Sequence, residues 1–134
     1  MNLQANTVTF QSDGFQPVMP EQSQVNPGRY GAELAFWLCA QLARQGVVTS
    51  YPHYEDWGWF LEYLTEDGDG FWLCCGNLEG STSKWSCYLQ PKRRGLFGRY
   101  TPDMKVAASL LTALDKVLTD EPSIWAVEWS QEAL

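Results

Sequence analysis

Between Thr7 and Ser12 the apolar residues Val8 and Phe10 alternate with polar neighbours, the period of a half-buried strand. The stretch from Asp13 to Val25 is rich in Gly, Pro, Gln and Ser and has neither period, so it is expected to be a long connection. Asn26-Pro27 then supplies a helix start, Asn as the cap and Pro at the first position, where its missing N–H costs nothing. Tyr30, Leu34, Trp37, Leu38 and Leu42 follow at helical spacing, and Gly46 offers the left-handed stop.

From Val47 the period becomes that of strands. Four are predicted, over Val47 to Ser50, Trp57 to Leu64, Phe71 to Asn77 and Lys84 to Leu89. Turns are expected at Tyr51-Pro52, at the Glu66-Asp67-Gly68-Asp69-Gly70 run and over Glu79 to Ser83, which makes the last three strands an antiparallel meander. After a basic, glycine-containing loop from Lys92 to Tyr100, Thr101-Pro102-Asp103 repeats the helix-start logic. Ala107, Leu110, Leu111, Leu114, Val117 and Leu118 form the stripe of a second helix that ends before Pro122. Ile124 to Trp129 is the last strand. The order β-α-β-β-β-β-α-β predicts one α+β domain over residues 1–134, a single-layer, mostly antiparallel sheet with both helices on one face.

Composition narrows the functions open to this fold. An apolar fraction of 45% over 134 residues is enough for a core without metals or disulfides. The formal net charge of −7 repels phosphate backbones and anionic lipid and favours basic partners, so nucleic acid is an unfavoured ligand. The four cysteines, Cys39, Cys74, Cys75 and Cys87, form no C-x-x-C pair and are accompanied by a single histidine, which argues against zinc. Met1 to Phe10 lacks a basic region followed by an apolar run, and no apolar stretch is long enough to span a membrane. The expectation is a cytoplasmic protein with reduced thiols, no membrane partner, no metal and no cofactor.

The densest candidate site is Tyr51-Pro52-His53-Tyr54-Glu55-Asp56-Trp57-Gly58-Trp59. On a strand, Trp57 and Trp59 would share one face and Gly58 would leave the other open to close approach. Tyr54, Glu55, Asp56, Trp57 and Trp59 are therefore candidate partner-binding residues. A turn at Glu55 and Asp56 with the tryptophans packed under a helix explains the same residues structurally. His53 beside either acid is a formal acid/base pair, but no nucleophile or oxyanion device accompanies it, so no catalytic residue is assigned. Glu66, Asp67 and Asp69, with Glu62 and Glu79, are expected to concentrate acid on the sheet rim, where they would meet a basic partner or simply confer solubility. They lack the spacing of a calcium loop. Lys92, Arg93, Arg94 and Arg99 could hold an anion, though no phosphate-loop pattern surrounds them. Cys74 and Cys75 should point to opposite faces, one towards Cys87.

Asn26-Pro27-Gly28-Arg29-Tyr30-Gly31, the helix after it and Glu55-Asp56-Trp57-Gly58-Trp59 resemble a group of small bacterial proteins with an E-D-W-G-W signature, a likeness that covers about the first half of the chain and implies no activity. In size, acidity and tryptophan richness the chain is similar to immunity proteins of bacterial toxin and contact-dependent inhibition systems. That likeness implies a non-catalytic inhibitor that occludes a basic, toxin-like protein. A small-ligand or regulatory module with a pocket on the sheet face is the alternative, and a homodimer paired through the strand of Trp125 and Trp129 is compatible with an exposed edge.

Overall fold

The computed structural model describes residues 5–131, so Met1 to Gln4 of the stretch read for an export signal lies outside them. Six strands form one antiparallel sheet in the order β2-β3-β4-β5-β1-β6. They are β1 (Thr7–Ser12), β2 (His53–Glu55), β3 (Gly58–Leu64), β4 (Gly70–Asn77), β5 (Lys84–Pro91) and β6 (Ile124–Ser130). Helix α1 (Ala32–Arg44) links β1 to β2, and α2 (Ala108–Asp120) links β5 to β6. Both helices lie on one face, as the α+β reading requires.

Strand parity decides what that face carries. Val8, Phe10, Leu61, Leu73, Trp85, Cys87 and Leu89 point towards Leu34, Leu38 and Leu42 of α1 and Leu110, Leu114 and Leu118 of α2, all within one buried cluster. Trp85 is wholly buried and donates its indole N–H to the Ser12 carbonyl at 3.1 Å, which removes the cost of hiding that donor. Cys75 sits opposite Cys87 on this face and Cys74 opposite Tyr88 on the other, as alternation demands.

Four local expectations are corrected. Helix α1 starts at Ala32, not at Pro27, because Asn26 and Arg29 close a tight turn with Gly28 at φ 74°. The Asn77 amide then grips the carbonyl of Gly28 and its carbonyl oxygen receives the Tyr30 N–H. Val47 to Ser50 is no strand. It follows a helix end in which Gly46 N–H bonds Ala43 and Val47 N–H bonds Leu42, and the edge strand forms only at His53. Tyr51-Pro52 is consequently a lead-in to β2, not a turn. At the second helix it is Asp103 that caps, its carboxylate accepting from Lys105 N–H at the head of a short 3-10 turn that runs into α2.

Two hairpin loops behave as their sequences predict. Thr65 to Asp69 closes on Gly68 at φ 86°, and Glu79-Gly80 both take positive φ, the requirement of a tight hairpin turn. No helix among the described residues is long and apolar enough to cross a membrane.

Candidate functional site

Strands β2 and β3 form a hairpin at one edge of the sheet, with Glu55 opposite Gly58 and Asp56-Trp57 as its two-residue turn. Gly58 has φ 149°, and a Cβ placed there would lie 3.2 Å from the Cys75 carbonyl oxygen, so only glycine lets the hairpin lie this close to β4. The Asn26 amide donates to the Asp56 carbonyl and ties the turn to the loop before α1.

Because Trp57 occupies the turn, it does not share a face with Trp59. Trp59 points to the helix side, its ring between Tyr54 at 5.5 Å and Phe36 of α1 at 6.4 Å. Trp57 leans the other way, over Phe60 at 5.9 Å and Tyr88 at 6.5 Å. The hairpin thus shows aromatic surface on both sides: Tyr54 is 66% exposed, Phe36 53% and Trp57 39%, with Glu55 and Asp56 exposed beside them. The Trp59 indole N–H is buried without an acceptor, an arrangement that costs about 1–3 kcal/mol.

The acidic residues do not gather into one rim. Glu66 and Asp67 are exposed on the β3–β4 turn, at the far end of β3, about 20 Å from Asp56 for a seven-residue strand. Asp69 is buried, its carboxylate 3.1 Å from the Arg94 guanidinium, and so leaves the surface on which it was expected. Nor do the four cations form one anion cradle. Arg94 is held by Asp69 and lies over the Tyr100 ring at 4.7 Å. Lys92 is held by Glu62 at 3.2 Å, while Arg93 and Arg99 are exposed. Burial raises the pKa of Glu62, but hydrogen bonds from Lys92 and the Trp72 indole outweigh it, and the carboxyl titrates below its usual range.

The helix-free face of the sheet carries a feature the sequence reading missed. His53 stacks on Phe60 at 5.4 Å, Phe60 on Trp72 at 4.5 Å, and the Lys92 ammonium lies 5.8 Å from the Trp72 ring, a row that crosses β2, β3 and β4 and ends just past β5. The signal was parity: Phe60 and Trp72 alternate with the core residues Leu61 and Leu73. An open cleft of about 270 Å³ lined by Trp72, Gln90, Pro91, Lys92 and Arg93 borders this row.

The buried Cys74 and Cys75 thiols and the part-buried Tyr88 hydroxyl are held in their protonated forms. Burial pushes the Cys74 thiol and the Tyr88 hydroxyl each up to about 12. Cys75 is raised well above its ordinary value by its hydrogen bond to Cys87 and by burial, and a thiol so raised is unreactive at neutral pH. Among the described residues no three His, Cys, Asp or Glu side chains converge on a metal position. No family model, curated protein or solved structure matches this chain.

Proposed function

We propose that this protein is a non-catalytic binder of a basic protein, an inhibitor of the immunity type acting in a bacterial cytoplasm, and that the β2–β3 hairpin is its docking site. The carrying observation is the exposure of Tyr54, Phe36 and Trp57 around one hairpin whose tip bears Glu55 and Asp56. Large rings surrounded by acid suit such a role: the carboxylates steer a cationic partner, and the rings supply the desolvated anchors that dominate interface energy. The experiment is co-purification from the native host followed by titration of the purified partner. A complex weakened at least tenfold by Tyr54→Ala, and further by raising salt, is expected. An affinity indifferent to both overturns the reading.

The cleft beside Trp72 favours one second reading, a small anionic ligand held by the ring and Arg93. A thermal-shift screen separates the two, because such a ligand raises the melting temperature with no protein partner present.

A further inference from the structure

The segment from Arg94 to Tyr100 presents two highly exposed large apolar side chains in succession, Leu96 at 76% and Phe97 at 85%. Its base is rigid. Arg94 and Tyr100 exchange backbone hydrogen bonds of 2.8 and 2.9 Å, and the Arg94 guanidinium is at once paired with Asp69 and laid over the Tyr100 ring. Within it Gly98 N–H bonds the Gly95 carbonyl at 3.1 Å. Phe97 sits at φ 58° and ψ 25°, the left-handed region that favours Gly, Asn or Asp. The Arg99 guanidinium lies 5.9 Å from the centroid of the Phe97 ring, which otherwise faces solvent, and backbone strain of this kind collects where surfaces are used.

We infer that this loop is a second docking element, independent of the hairpin, which inserts Leu96 and Phe97 into an apolar pocket of a partner protein whose rim carries carboxylates. The charge complement is local: Arg93 and Arg99 flank the tip, both are exposed, and neither has a carboxylate within ion-pair distance among the described residues. Anionic lipid fits less well, since Glu66 and Asp67 stand on the adjacent turn and the whole chain carries −7. Because the loop is already closed, little conformational freedom is lost when it docks.

The test uses the full chain and its Phe97→Gly variant. Phe97→Gly removes the ring and relieves the backbone, so the melting temperature should hold or rise. A protein retained from native-host extract and then purified should bind the variant at least tenfold more weakly than wild type, while Tyr54→Ala leaves that complex unchanged. A fall in melting temperature would assign Phe97 to the fold instead and overturn the inference. So would failure to retain any protein in a Phe97-dependent way. Phe97-dependent sedimentation with phosphatidylglycerol vesicles would make the occupant a membrane, and Phe97-dependent self-association in ultracentrifugation would make it a second copy; either result rejects the proposal. Loss of the Tyr54-dependent complex with this one intact would count against the hairpin reading alone.

Discussion

The two ends of strand β3 use the same kinds of residue in opposite ways. Towards the Leu64 end two carboxylates are paired within the fold, Asp69 buried against Arg94 and the part-buried Glu62 with both Lys92 and the Trp72 indole, while Glu66 and Asp67 on the turn stay exposed. At the Gly58 end, Glu55 and Asp56 face solvent without a cation, and Tyr54 and Trp57 stand beside them. The acids paired within the fold are met by donors and rings, whereas Glu55 and Asp56 face solvent. A count of carboxylates along the chain cannot tell the two apart.

That contrast can be broken at several points. The largest effect is expected at the hairpin's own hinge: Gly58→Ala should cost about 3 kcal/mol, through a disfavoured positive φ and the nearby Cys75 carbonyl. Urea denaturation measures it, and a loss under about 1 kcal/mol would mean that the hairpin does not lie this close to β4. Next comes Arg94→Ala, which strands the buried Asp69 carboxylate and should cost about 2 kcal/mol by the same measurement. An unchanged midpoint would place Asp69 in water.

A pH series sharpens the comparison further. Glu62 has a folded pKa lower than its unfolded value near 4.5, so its contribution is fully present above that pH and is lost as pH falls through the lower folded pKa. The pair is partly exposed, and the loss should be no more than about 1 kcal/mol. Lys92→Met should flatten this acid limb, and a limb of equal slope in the variant would take Glu62 out of the account. The smallest effect belongs to the hairpin tip, where Glu55→Gln with Asp56→Asn should shift stability by less than about 0.5 kcal/mol. The same double variant should slow association with a basic partner, read by stopped-flow at low salt.

Much of the architecture was legible because it rests on periodicity. The stripe of α2 and the alternation of β1 and β5 each bury one face, which is what a period encodes, and β4 reads as a continuous apolar run because Cys74 is buried on its other face as well. The errors fell where local chemistry had two uses. Asn26-Pro27 carries a helix-start signal, yet the Asn26 amide is drawn 30 residues along the chain to Asp56, and the helix waits for Ala32. Tyr51-Pro52 signals a turn, yet the chain turns at Asp56-Trp57, where Gly58 can approach β4. That one displacement moved Trp57 off its strand and separated it from Trp59. The outward aromatic row was missed for a related reason, since Phe60 and Trp72 are as apolar as Leu61 and Leu73 and only their parity distinguishes them.

By itself the sequence determined the α+β class, both helices, five of the six strands and most of their bounds, though not the short edge strand β2, because hydrophobic burial follows a period set by backbone geometry and read within a few residues. Which carboxylates enter internal pairs, which rings stay exposed and which turn separates Trp57 from Trp59 were decided only in three dimensions. Those outcomes depend on contacts between residues 10 to 50 positions apart, and no local signal carries the energy of a contact whose other half is elsewhere in the chain.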